Sequence, residues 1–213
     1  MSLATLLVLA DGRLPAGGHA HSGGLEAAVA SKRVTDLGSL EGFLRGRLAT
    51  SGVVSAAFAA AACASRDVDP LDEGLDARTP SPALRRASRA QGRALMRAAR
   101  AMWRVGDIGR EPHHPIALGV VAAAAGLTPR DAAVTAAYGS LTGSATAAVR
   151  LLGLDPYGTH ALLAALANEC DLIAADAAKH ARDPVDDLPA TSAPLLDIGA
   201  EHHATWEVRL FAS

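Results

Sequence analysis

Residues 128–152 read TPRDAAVTAAYGSLTGSATAAVRLL. Thr128 offers a side-chain oxygen to the free amides of a helix start. Pro129 falls at the first helical position, where a missing N–H costs nothing, and Asp131 places a negative charge in the first turn. These three residues predict a helix running to about Leu152. Asp155 and Pro156 repeat the punctuation and predict another to about Arg182. Within the first of these, Tyr138, Gly139, Gly143 and Ala147, with Ser140 and Ser144, set small residues at four-residue spacing. Such a face lets a second helix approach closely, either in the core or in a dimer contact.

Working outward, Val53 to Ala64 is apolar all round, the pattern of a central buried helix. Before it, Ser39 opens a segment in which Leu40, Phe43, Leu44 and Leu48 share one face, with Glu41, Arg45 and Arg47 available to solvent. Ser22 is read as the cap of a first helix reaching Arg33, and Gly12 to Gly18 as a loop after a short apolar segment of ambiguous type. A long helix is predicted over about 84–104, with Leu84, Leu95, Met102 and part of Trp103 facing the core. Residues 67–82, rich in Asp and Pro, read as a surface connection with at most one short helical turn. Asp183 to Pro194 reads as a linker or mobile loop, and Leu195 to Phe211 as one further helix. The expected fold is therefore all-α: a single-domain bundle of about seven to ten helices spanning residues 1–213.

Composition supports that class. Half of the 213 residues are hydrophobic and a fifth are charged, so the chain can bury a core, and with 3% aromatics that core is built from Ala, Leu and Val. A formal net charge of −2 argues against nucleic acid or an anionic membrane as the partner of the whole surface. Cys63 and Cys170, far apart in Ala-rich stretches, read as buried thiols, and residues 1–10 lack the basic lead of a secretory signal. A cytoplasmic location is expected. Residues 112–129 and 132–149 approach spanning length without Asp, Glu, Lys or Arg, but their Ala, Gly, Thr and Ser content makes insertion marginal, and no membrane is expected.

No nucleophile elbow, metalloprotease helix or clustered carboxylate pair is present in the sequence, and no catalytic centre is expected. The loop LPAGGHAHSGGLE, residues 14–26, lacks the Gly-Lys-Ser/Thr of a phosphate loop and reads as a tight turn before a helix. Histidines occur in pairs: His19 with His21, His113 with His114, and His202 with His203. Adjacent residues on a helix diverge by about 100°, unlike an i, i+4 metal pair, and no carboxylate stands at a metal-motif spacing. For His113 and His114, beside Pro115, a role in entering a helix competes with ligation. The other pairs are open between surface interaction and solvation. No resident metal or cofactor is expected, the competing reading being a metal-binding carrier or metallohydrolase built on these pairs. Arg86, Arg89, Arg93, Arg97, Arg100 and Arg104 recur every three or four residues and form a basic stripe. It is either a solvated helix flank or a surface for an acidic partner.

Taken together, Leu14, Pro15, Gly17, Gly18, Ser22, Gly24, Leu25 and Glu26 resemble the LPxGGFxYSxGLE motif of the urease accessory protein family UreF, with His19 and His21 where aromatic residues are usual. Pro115, Ile116, Ala117 and Gly119, then Ala147 to Arg150, and finally Asp197, Ile198, His203, Arg209, Leu210, Phe211 and Ser213 extend the resemblance over nearly the whole chain. Thr142, Gly143 and Ser144 depart from the family's polar Glu-Asn-Gln set, and His202, Ala204, Glu207 and Ala212 from its usual C-terminal residues. The resemblance implies a helical, non-catalytic homodimer that joins the accessory protein UreD (also called UreH) and the GTPase UreG on apo-urease during nickel insertion. It also implies that His19, His21, Ser22 and Glu26 lie on the UreG side. His203, Arg209, Leu210 and Phe211, within a partner-binding segment 195–213, would lie on the UreD side.

Overall fold

The computed structural model describes residues 2–213. The capped start at Thr128 forms as the sequence predicts: the Thr128 side chain accepts the Asp131 amide, and the Asp131 carboxylate accepts the Thr128 amide at 2.8 Å. The described residues form ten α-helices and no strand. In chain order they are α1 (Leu3–Ala10), α2 (Leu25–Ala30), α3 (Leu37–Arg47), α4 (Val53–Ala64), α5 (Asp69–Ala77), α6 (Pro82–Arg100), α7 (His114–Ala124), α8 (Pro129–Leu152), α9 (Pro156–Lys179) and α10 (Pro194–Ala204).

The all-apolar α4 is the central helix, because side chains on every side of it are buried. Ala56 and Ala60 join Leu40, Leu44, Leu141 and Leu166 in one core cluster, between α3, α8 and α9. Ala59 joins Leu95, Leu118 and Val121 in a second, toward α6 and α7. Phe58 anchors a third with Leu71, Leu75 and Ile116. With alanine at most of these contacts the helices approach closely, which limits side-chain volume at the crossings. Gly119 on α7 shows how closely. A Cβ built there would lie 2.3 Å from the Ala59 carbonyl oxygen and 2.7 Å from the Ala62 Cβ on α4.

Several expectations are corrected. The short apolar segment at the start is a helix, Leu3–Ala10, and α3 and α4 are one 28-residue rod joined by a π turn at Leu48–Gly52. Among the described residues this rod is the one helix long and apolar enough to cross a membrane, with 56% of its most apolar window buried. Residues 112–129 and 132–149 fall on α7 and α8 instead. The connection at 67–82 contains the nine-residue α5. Pro70 and the acids Asp69 and Asp72 start it, and Leu71 and Leu75, one turn apart, suffice to bury it against Phe58. Asp183 to Pro194 is pinned by Arg78, whose guanidinium donates to the carbonyls of Val185, Leu188 and Pro189 at 2.8, 3.1 and 3.0 Å. α2 stops at Ala30, short of Arg33, and Met102 is 42% exposed. The expected helix 195–211 ends at Ala204, because the amides of Leu210 and Phe211 find a carboxylate acceptor elsewhere in the chain.

Gly119→Ala is expected to lower stability by about 1–3 kcal/mol, the usual range for overpacking. Gly46→Ala on α3, where a Cβ meets nothing within 4 Å, should instead stabilise by about 0.5–1 kcal/mol. Urea titration of both variants checks the pair, and a Gly119→Ala protein as stable as the parent contradicts the packing described.

Candidate partner-binding site

The glycine loop between α1 and α2 is shaped by its close neighbours. Gly23 and Gly24 take left-handed φ values of 64° and 88°. A Cβ on Gly23 would lie 2.9 Å from Cζ of Arg47 and 3.0 Å from Oγ of Ser144. Arg47, at the end of α3, reaches inward rather than toward solvent: Nη1 donates to the Gly23 carbonyl at 2.7 Å and Nε to the Ser140 carbonyl at 2.8 Å. Burial pushes its pKa down to about 10, so it remains cationic at neutral pH, and among the described residues it makes no ion pair with a carboxylate. Its neighbour Arg45 does face solvent, bonded to Glu41 at 2.9 Å and also paired with Glu169. Ser144 on α8 completes the seat by donating to the Ser22 carbonyl at 2.8 Å.

On this seat the C-terminal segment is clasped. The Ser22 amide and hydroxyl both donate to the Ser213 backbone oxygen, at 2.6 and 2.9 Å, and the Ala212 amide donates to the Ala20 carbonyl at 2.7 Å. His21 Nδ1 lies 2.7 Å from the Ser213 hydroxyl. At the second residue of α2, the buried Glu26 carboxylate accepts the amides of Leu210 and Phe211 at 2.8 and 3.0 Å and meets His203 Nε2 at 2.9 Å. An ionised carboxylate only accepts, so that imidazole nitrogen carries the proton. Burial by itself would raise the Glu26 pKa. The Leu210 amide, His203 and the Phe211 amide outweigh it, and the net shift is below the ordinary 4.5. Phe211 is buried beneath Arg150 of α8, whose Cζ stands 4.9 Å from the ring centroid.

The two residue sets that the resemblance assigns to separate partners thus meet. Ser22, Glu26, His203 and Phe211 are buried and hold the segment in place. His19, Arg209 and Leu210 are exposed, and His21 is half-buried. Exposed apolar side chains gather on the clasped segment: Leu195, Ile198, Val208 and Leu210 are each more than 60% exposed. Beside the clasp a cavity of about 420 Å³ is lined by His19, His21, Arg47, His114, Tyr138 and Thr142, among others. The small-residue face of α8 divides here, with Ser144 and Ala147 in the core and Tyr138 and Gly139 exposed.

The histidine pairs separate into individual roles. His113 is buried, with Nε2 2.8 Å from Asp76 and Nδ1 3.0 Å from the Ser88 hydroxyl, while burial pushes the His114 pKa down to about 4. His202 contacts Trp206 edge to face. Among the described residues no group of three or more His, Cys, Asp or Glu side chains is placed to hold a metal ion. The basic stripe also divides. Arg89 is drawn between Asp72 and Asp76 at 2.9 and 2.8 Å, whereas Arg86, Arg93, Arg97, Arg100 and Arg104 stay exposed. Sequence reasoning missed Arg47, Ser140 and Ser144 as parts of the clasp. The available signal was a cation on a helix that packs closely against a run of small residues.

Comparison with known proteins now bears on this geometry. The family model UreF matches residues 34–167. A protein named urease accessory protein UreF from Mycobacterium sp. strain JLS is 51% identical over 216 residues, covering 100% of this chain and 99% of its own. Proteins of the same name from Mycobacterium marinum strain ATCC BAA-535 / M and Mycobacterium tuberculosis strain H37Rv are 49% and 44% identical, with the same coverage. The family match stops short of both halves of the clasp, but these full-length alignments include them.

Replacing Glu26 with Ala is expected to speed hydrogen exchange at the Leu210 and Phe211 amides by about ten- to a hundredfold, the loss of charge-assisted bonds worth about 1.5–3 kcal/mol. Because the folded Glu26 pKa is depressed, its stabilisation is fully present above pH 4.5 and is lost as pH falls through the folded value. The stability gap between the parent and Glu26→Gln should therefore narrow on acidification in that window. Unchanged exchange in the Ala variant, or a gap independent of pH, contradicts the assigned role.

Proposed function

The chain belongs to the UreF family, and from that membership we propose that it serves urease maturation as a non-catalytic scaffold. In this reading it bridges UreD (UreH) and the GTPase UreG on apo-urease and modulates UreG while nickel is inserted. The observation that carries the reading is the clasped segment. Its backbone is fixed by Glu26 and Ser22, while Leu195, Ile198, Val208 and Leu210 project into solvent. Large apolar side chains held in solvent on an ordered backbone favour a protein partner, and segment 195–213 is proposed as the UreD side.

The UreG side is proposed to lie on the glycine loop, with the exposed His19 and half-buried His21 as contacts and Ser22 and Glu26 as supports. The exposed flank of α8 at Tyr138 and Gly139, where a Cβ added to Gly139 meets nothing within 4 Å, is proposed as the contact with a second copy of the chain. Nickel enters as cargo of the assembly. His113 and His203 are each engaged with a carboxylate, which gives no support to a carrier or hydrolase built on the histidine pairs.

Charge placed on the proposed UreD face separates contact from folding. Leu195→Asp, Ile198→Asp and Leu210→Asp combined, all at exposed positions, should leave thermal stability within a few degrees and weaken UreD capture by about tenfold or more. Urease co-expressed with the variant should show a matching loss of activation at limiting nickel. Full UreD binding by the triple variant rejects this surface. Full urease activation in the complete absence of the chain rejects the scaffold.

A further inference from the structure

Beyond the clasp, the end of α6 carries a concentration of charge that the scaffold reading does not use. Between residues 93 and 111 five arginines face only Asp107 and Glu111, a local excess of three positive charges on a chain of net charge −2. Arg93 pairs with Glu111 at 2.9 Å, and Arg100 lies 3.6 Å from Asp107. Arg97, Arg104 and Arg110 make no ion pair among the described residues. The loop after α6 folds back so that Arg110 joins Arg93, Arg97 and Arg100 around a cleft of about 410 Å³. The cleft is therefore built from two segments.

Placement separates this cleft from the clasp. The start of α6 is tied to α10 by Glu201, which accepts the Ser81 hydroxyl and the Ala83 amide. Arg97 lies roughly 22 Å further along the helix axis at 1.5 Å per residue. Attraction to the negative end of the helix accounts for cations in the last turn, Arg97 and Arg100. It does not account for Arg93, two turns from the end, for Arg104 beyond the helix, or for Arg110 on the returning loop. Like charges one turn apart repel, so this arrangement is maintained against its own electrostatics.

We propose that the Arg93–Arg97–Arg100–Arg110 cleft, which Asp107 also lines, is together with the exposed Arg104, four residues past Arg100 in the sequence, a docking site for an acidic segment of a protein partner. Guanidinium forks match carboxylates in pairs of N–H···O bonds, and the three unpaired arginines supply that capacity here. Single-stranded nucleic acid is less well served, because it is held by exposed aromatic faces, and the nearby Trp103 packs against the α6–α7 core.

A labelled octaglutamate peptide is the probe, and its anisotropy with the purified full chain at low and high ionic strength is the readout. The parent should bind it, and affinity should fall as salt rises. Arg97→Glu, Arg104→Glu and Arg110→Glu combined should weaken binding by about tenfold or more. The three Gln substitutions at the same positions should give an intermediate loss and stand in for the first variant if its thermal melting shows misfolding. Absence of peptide binding by the parent, equal binding by the variants, or equally tight binding of an oligothymidylate of the same charge overturns the proposal.

Discussion

A carboxylate removed from water must be met by donors, and in this protein that requirement ties distant parts of the chain together. Glu26 is buried at the start of α2, and its three partners, His203, Leu210 and Phe211, all come from the far end of the sequence. An uncompensated buried charge would cost several kcal/mol. The folded state therefore requires residues 203–211 to be in place whenever Glu26 is ionised. The ending of α10 at Ala204, the burial of Phe211 and the position of the glycine loop all follow from that one requirement.

The loop can occupy its position only because α8 presents small residues to it. Ser140 and Ser144 sit where longer side chains would exclude Arg47, and Arg47 in turn holds the Gly23 carbonyl. The departure of Thr142, Gly143 and Ser144 from the family's polar set is thus compatible with a structural task. Ser144 supplies a hydroxyl that closes the back of the clasp, while Gly143 and Thr142 leave space beside it.

Much of the fold was legible in the sequence because helix ends are local. Thr128-Pro129-Arg130-Asp131 and Asp155-Pro156 carry their own hydrogen-bond partners, and α4 declares its burial by being apolar all round. The misreadings share a cause. α5 is fixed by two leucines against Phe58, too few for a periodic signal. The segment 183–194 is fixed by Arg78 from more than a hundred residues away. The site was legible as a motif but not as a geometry. Ser22 and Glu26 were identified as important residues, yet their acceptors and donors lie at 203–213, and nothing local in either segment specifies that pairing.

The pairing also bears on how the surface presents itself. Around residues 209–211 the backbone is bonded inward, Phe211 faces the core, and Arg209 and Leu210 face out. A segment held in this way has already lost most of its conformational freedom, so a partner that contacts Leu210, Val208 and Ile198 meets an ordered edge and avoids the cost of ordering it. The buried residues of the motif therefore act on binding through geometry. Substituting Glu26 would be felt at a distance by any protein that reads the outward face, although Glu26 itself is buried.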